Sequence, residues 1–532
     1  MNKKITKIIV SCVAVGLIGS CFLPLFKKDK TGESIPEGVT TVLKVSAFNG
    51  GYGLGWLAAL KEAYEKKHPE VYISYPANIV DRDAQMTEIR GGIYKYDLYF
   101  TGFGYHSEIY QYKRNFYSLD DVMEKIGDNV ITESVVDWMT FEDGSIYSLP
   151  WATGLGGILY HEDYFKKHNI AIPNTTNELL AVADRITTIR NGASTGYAYN
   201  YSYLNNYTEY LYNCWLAQYE GVQGYENYYN FIGTNGVVGD QSWLFYNGTL
   251  RTLEVYEQLL NPQKDYALPH SRSDDFTSAQ FRFLDKQAVM MINGDWVIQE
   301  MMKGEFDVEE TKDVCIMKTP IISSIVETME LWEEESGVVY TDLTKDQKAE
   351  YDAKLSAIVS SVDAGIYDST LCSESDFNRV KEARSVVPSL ANFHNAVVPK
   401  SAKYPDAAKD FLAFMYSEEG ISLYLNSVYG AGLPVQYSDA QVAQIRQKSR
   451  FYDTVYAQLN KDTYYAFNTS TNARSSAFVK NGLGYINGLT NTWWNYLLAT
   501  PGTKEYKSAK TIYGEHIIYT TQQWSRYTKN LT

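Results

Sequence analysis
The chain has 532 residues, with 63 Asp and Glu against 48 Lys and Arg and a formal net charge of −15 at pH 7. A surface this acidic excludes nucleic acid and anionic lipid as electrostatic partners. The five cysteines are widely spaced, which excludes a disulfide scaffold or a C-x-x-C metal site, so stability must come from a large core of two or three domains.

The chain opens MNKKITK-IIVSCVAVGLI-GSC, a basic segment before an apolar run of about 11 residues and a small-residue site, as in a secretory signal. That run is too short to span a bilayer. Ile18-Gly19-Ser20-Cys21 is similar to a lipobox, which makes Cys21 the expected lipid anchor; the other reading is an ordinary signal with a chance Cys near its end. Loss of residues 1–20 removes three lysines and no acid, taking the formal charge from −15 to −18. Residues 21–40 are polar and contain Pro and Gly, as a tether would.

Beyond the tether, strand-like and helix-like runs alternate. Val42–Phe48 alternates apolar and polar, Gly55–Lys67 has helical spacing, and Val71–Tyr75 and Asp97–Phe100 are strand-like again, which predicts a parallel or mixed α/β sheet. Thr175-Thr176-Asn177-Glu178 is a capping box that opens a helix through Ile186. Gly192-Ala193-Ser194-Thr195-Gly196 matches G-x-S-x-G, but a helical run precedes it and YAYNYSY follows, so a loop is expected in place of a nucleophile elbow. Phe276–Lys286 predicts a helix, Ala288–Ile292 a buried strand, and the charged stretch 323–388 an inserted, solvated helical segment. His161 and His168 are too far apart for adjacent-turn metal ligation, and Asp274-Asp275 reads as surface charge or as a carboxylate pair.

Several segments in order carry a resemblance. They are DLYFTGF (97–103), SLDDVME (118–124), DGSIYSLPWATGLGGILYHEDYF (143–165), FLDKQAVMMINGDWV (283–297), NAVVPKSAKYPDAAKDFLAFMYSEEG (395–420) and YGAGLPV (429–435). Together they resemble the family 1 extracellular solute-binding proteins, the maltodextrin-type group, over most of 40–440. The resemblance implies two α/β lobes of the periplasmic-binding-protein kind, joined by a hinge that the chain crosses three times. The crossings would fall near Thr153–Tyr160, Leu390–Val397 and Val435–Ala443. Lobe one would be 40–156 and 394–436, and lobe two 157–393 and 437–532. Gly154-Leu155-Gly156-Gly157 supports the first crossing independently, because hinges need residues that absorb large backbone changes. The implied function is capture of a carbohydrate, an oligosaccharide, outside the cell by a monomeric lipoprotein of a Gram-positive surface. Delivery would be to the permease subunits of an ATP-binding-cassette importer, with no cofactor.

The composition suits that ligand: 46 Tyr and 10 Trp beside 21 Phe supply rings that pack on an apolar face while an OH or NH finds a hydrogen bond. The loop Asn49-Gly50-Gly51-Tyr52-Gly53-Leu54-Gly55 joins a strand to a helix and is a cleft loop or a plain tight turn. Trp56 stands where a dinucleotide fingerprint needs its third glycine. Asn49 and Tyr52 are its candidate contacts. Phe103 and Tyr105 follow the strand DLYF at the edge where α/β sheets bind ligands, Trp151 precedes the hinge, and Tyr429 lies in the YGAGLP turn. The resemblance puts Trp296 in the cleft, stacked on sugar, with Asp295 accepting hydroxyls; packing between elements is the other reading. Tyr212 and Trp215, in LYNCWLAQY, match aromatic sugar contacts of the same group or form helix core, which their spacing of three also suits. A surface-anchored glycoside hydrolase and an adhesin are the competing functions. No catalytic constellation favours the first, and no repeat favours the second.

Overall fold
The computed structural model describes residues 35–75, 82–102, 112–127, 130–152, 154–202, 207–302, 311–335, 337–388, 394–428, 432–460, 462–466 and 492–528. Cys21, Phe103, Tyr105 and Tyr429 lie outside these residues, as do the side chains of Trp493 and Trp494.

Two separate sheets organise the chain. The first has the order β2-β1-β3-β10-β4, built from β1 (Thr41–Ala47), β2 (Val71–Ser74), β3 (Leu98–Phe100), β4 (Leu149–Pro150) and β10 (Asn395–Val397). β1 runs parallel to β2 and β3, and β10 runs antiparallel to β3 and β4. The helix Gly55–Lys67 buries Trp56, Leu57, Leu60 and Tyr64 at helical spacing, beneath Leu43, Val45 and Ala47 of β1.

The second sheet has the order β6-β7-β5-β8, with β5 (Gly156–His161), β6 (Tyr197–Asn200), β7 (Ala288–Gly294) and β8 (Val314–Met317). Its side chains alternate between two apolar layers. Ile158, Tyr160, Met290, Ile292, Cys315 and Met317 join one core cluster, while Leu159, Met291, Val314 and Ile316 join the other. A period of two with both faces buried means helices cover both sides, which is why AVMMI reads as a continuous apolar run. A short parallel pair, β9 (Val386–Pro388) and β11 (Tyr464–Ala466), stands apart from both sheets.

The chain passes between the sheets three times. It leaves the first sheet after β4 and enters the second at β5, returns between β8 and β10, and leaves again after the helix Glu418–Ser427, which packs on Gly55–Lys67. The helix Arg450–Tyr456 then packs on β8.

Register brings particular ends together. Asn395 pairs with Pro150, and Ala396 pairs with Phe100 and Leu149, so the start of β10 lies beside the ends of β3 and β4. Gly156 pairs with Gly294, so the chain arriving at β5 reaches the sheet beside the carboxyl end of β7.

Most local expectations hold. Thr175 caps the helix Thr176–Arg190 by accepting from the Glu178 N–H, and Glu178 accepts from the Asn174 N–H, so the cap forms while the helix runs one turn beyond Ile186. Residues 192–196 form a turn from that helix into β6, the wrong order for a nucleophile elbow. Asp275 caps the helix Phe276–Leu284 and Asp274 pairs with Arg282, so both acids have structural duties. The stretch 323–388 is helical but not simply solvated. Leu355, Ile358, Val359, Val380 and Ala383 of its helices Lys345–Ala364 and Glu374–Ser385 are buried in the second sheet's core, and buried Asp352 accepts from Thr175 and Ser323. Charge dominates the composition of that stretch, yet one face carries enough aliphatic surface to dock.

Candidate functional site
The loop after β1 supplies the first wall. Gly53 takes φ +66° and its N–H bonds to the Gly50 carbonyl, closing a turn that points Tyr52 inward. Tyr52 is 2% exposed. Its ring meets Trp151 edge-on at 6.0 Å and His394 at 5.2 Å. Trp151 is held from every side: its indole N–H donates to the Thr101 carbonyl at 3.0 Å, its backbone N–H donates to the His394 carbonyl at 2.8 Å, and its ring stacks on Trp56 at 5.1 Å. Asn49 lies half-buried in the same loop.

The second wall begins where β7 ends. Asp295 is fully buried, and a carboxylate there costs several kcal/mol unless it is hydrogen-bonded. It accepts from the Tyr52 hydroxyl at 2.9 Å and from the Leu155 N–H at 3.2 Å, and its own N–H donates to the Leu155 carbonyl at 2.8 Å. One side chain thus ties the loop after β1, the first crossing and the end of β7. Burial first, and Asp295 after it, hold the Tyr52 phenol well above its ordinary range, so Tyr52 remains the donor and Asp295 the acceptor.

Trp296 follows at once. Its ring folds back over Gly294, where a Cβ would fall 2.1 Å from the indole, so a side chain at 294 would drive the ring out of place. The ring meets Tyr52 edge-on at 6.4 Å, Tyr210 at 5.8 Å and Tyr207 at 6.2 Å. A Cβ on Gly51 would lie 2.9 Å from the Trp296 Cβ, so that loop approaches the second wall at glycine distance.

Of the residues singled out by sequence, Tyr52, Trp151, Asp295 and Trp296 converge, with Asn49 in the adjoining loop. Tyr212 and Trp215 do not join them. Tyr212 donates to Thr249 at 3.1 Å, and Trp215 is fully buried against Tyr256 with its N–H on the Pro320 carbonyl, both within the second sheet's core. His161 is likewise buried, between Asp313 and the Phe283 carbonyl. Sequence reasoning missed His394, Tyr207, Tyr210 and Glu300. His394 sits in the predicted second crossing, and Glu300 lies one helical turn beyond Trp296, so each stood beside a segment already marked.

The assembled cluster combines aromatic rings with a buried carboxylate, the residue types that suit a ligand with apolar faces and hydroxyl edges. Among the described residues, no group of three or more His, Cys, Asp or Glu is placed to hold a metal, and no helix is long and apolar enough to cross a membrane.

The fold is that of known sugar receptors. The GacH receptor of Streptomyces glaucescens GLA.O, solved free and with acarbose, is 13% identical with a TM-score of 0.55, over 92% of this chain and 99% of its own. The solute receptor AcbH, which prefers β-D-galactopyranose, is 13% identical with a TM-score of 0.53, over 91% and 99%. Maltose-bound MalE3 of T. maritima is 13% identical with a TM-score of 0.53, over 90% and 99%. None of the curated proteins matches the sequence. The profile of the bacterial extracellular solute-binding proteins matches residues 59–451, and the chain belongs to that family.

Proposed function
We propose that the protein captures a carbohydrate, an oligosaccharide in preference to a single sugar, and delivers it to the permease of an ATP-binding-cassette importer. The observation that carries this reading is the convergence of Tyr52, Trp151 and Trp296 around Asp295 at the facing ends of the two sheets. Rings cover pyranose faces, burying CH groups at about 25 cal/mol per Å², while a carboxylate accepts from the hydroxyl rim. GacH, AcbH and MalE3 share the fold and bind acarbose, galactopyranose and maltose, which supports the same ligand class here. On this reading the lobes are 40–156 with 394–436, and 157–393 with 437–532. Asn49, Tyr52, Trp151, Asp295 and Trp296 form the described part of the site, with Phe103, Tyr105 and Tyr429 added from their positions in the sequence. Cys21 anchors a monomer by lipid to the outer face of the membrane. The protein has no catalytic role.

Calorimetric titration with maltotriose, raffinose, xylotriose and D-galactose tests the ligand class. Saturable binding of at least one, with a smaller radius of gyration in solution scattering when bound, is expected because closure makes contacts that the open state lacks. Failure of every saccharide to bind would sink the proposal. For the anchor, Cys21→Ala should move the protein from membrane to medium with ligand affinity intact; equal membrane retention refutes it.

A further inference from the structure
Beside Trp296 lies a polar pair that the sequence reading does not include. The helix Val297–Met302 starts directly after that ring, and the Glu300 N–H donates to the Trp296 carbonyl at 2.9 Å, so Glu300 sits one turn along. One carboxylate oxygen, Oε2, accepts from the Gln280 side-chain amide at 2.6 Å. The other, Oε1, lies 3.0 Å from where a Cβ on Gly51 would sit, so Glu300 reaches the loop that carries Tyr52. Glu300 also adds to the upward push that burial exerts on the phenols of Tyr52 and Tyr207, which places its charge within reach of both walls.

Gln280 is the other half of the pair. It is fully buried, and its amide nitrogen is spent on Glu300, while its carbonyl Oε1 is shielded from solvent and accepts from no donor among the described residues. Asn200, at the carboxyl end of β6, repeats the pattern on Ala279, the residue before Gln280. Its amide nitrogen donates to the Ala279 carbonyl at 2.8 Å, and its buried Oδ1 has no partner among the described residues. Buried carbonyls without donors are costly and uncommon in folded proteins. The Gln280 carbonyl therefore stands as a second acceptor beside the Glu300 carboxylate.

We infer that Glu300, oriented by Gln280, is a further ligand-contacting residue that accepts hydroxyl hydrogens and selects neutral, hydroxyl-rich ligands against acidic ones. The inference rests on the carbohydrate reading and deepens it. A ligand hydroxyl can donate to the Glu300 carboxylate, whereas a carboxylate on the ligand brings another acceptor and a like charge beside it. Gln280 is a positioning residue: with its N–H on Oε2, the carboxylate cannot swing toward solvent, and Oε1 stays aimed at the loop.

The test uses the neutral sugar that binds the wild type and the same sugar oxidised to a uronate at one primary alcohol. Wild type should prefer the neutral form by about tenfold or more, Glu300→Gln should weaken neutral binding by about tenfold, and that variant should narrow the preference. Gln280→Leu should weaken neutral binding similarly, and the double variant should be no weaker than either single one, a non-additivity that separate structural roles would not produce. A melting curve on each variant separates lost binding from lost fold. Neutral binding within about twofold of wild type in a stable Glu300→Gln variant, or an unchanged preference, overturns the inference while leaving the carbohydrate reading intact. If no neutral sugar binds the wild type, the carbohydrate reading fails, and this one with it.

Discussion

Two aromatic groups in this molecule look alike in sequence and differ in what their polar atoms do. Tyr212 and Trp215 pack in the second sheet's core, with the Tyr212 hydroxyl on Thr249 and the Trp215 N–H on Pro320. Tyr52 and Trp296 are just as buried, at 2% and 6% exposure against 8% for Tyr212 and 0% for Trp215, yet Tyr52 reaches Asp295 across 243 residues, from the loop of one sheet to the strand end of the other. Burial therefore does not separate site from core here. Tyr52, Trp151 and Trp296 belong to one core cluster that takes in residues of both sheets, whereas Tyr212 and Trp215 belong to a cluster on the other face of the second sheet, so the informative property is whether a contact joins the ends of the two sheets.

The sharpest way to break this comparison is Trp215→Ala. Removing a fully buried indole should cost about 3–5 kcal/mol of stability, and the folded fraction should bind sugar normally. Denaturant melts beside calorimetric titration measure both, and weakened binding by the folded fraction would return Trp215 to the site.

Trp296→Ala should invert that pattern. Loss of a stacking ring should cost about 2 kcal/mol or more of binding, roughly 30-fold, with a smaller loss of stability. A destabilised variant whose folded fraction binds normally would remove Trp296 from the site and cast doubt on Asp295.

Tyr52→Phe is subtler, because the ring stays and only the bond to Asp295 goes. A net loss of about 1–2 kcal/mol is expected for a hydrogen bond to a buried carboxylate. Since that bond joins the two sheets' strand ends, the ligand-free variant should show a larger radius of gyration in solution scattering than ligand-free wild type. Identical radii would mean that the bond does not bias the equilibrium between open and closed states.

The last effect belongs to the core, away from the site, and depends on pH. Burial pushes the Glu220 carboxyl up to about 7, against the Gly248 N–H and Arg379, which act the other way. Its folded value lies above the unfolded one, so the native state holds the proton more tightly, and stability should fall as pH rises from about 4.5 to about 7. Glu220→Gln keeps the acceptor for Gly248 and removes the charge. It should match wild type at pH 5 and melt higher at pH 8, and parallel pH profiles for the two proteins would show that Glu220 does not titrate in this window.

Local elements were legible because their causes are local. Helix Gly55–Lys67 and strands β1, β2 and β7 follow from side-chain period, and the cap at Thr175 follows from four residues. The loop Asn49–Gly55 was marked by its glycines, and structure supplies their reason, since Gly51 lies against Trp296. The helix Tyr212–Glu220 carried a signal against its own candidates: it is apolar nearly all round, which is the mark of a core helix. Glu300 and Gln280 were not legible. They lie 20 residues apart on different helices, and no short-range pattern reports that an amide from one orients a carboxylate on the other.

By itself, the sequence determined the alternation of strands and helices and the glycine-rich passage from β4 into β5. These depend on backbone propensity, side-chain period and composition, which act within a few residues. Only the tertiary structure decided which aromatics meet. Pairing Gly156 with Gly294, and Asn395 with Pro150, brings the first crossing to Asp295 and His394 to Trp151, and those registers are set by two cores packing as wholes. A buried carboxylate such as Asp295 can be held only by donors from other parts of the chain, so its partners follow from the fold and not from its neighbours in sequence.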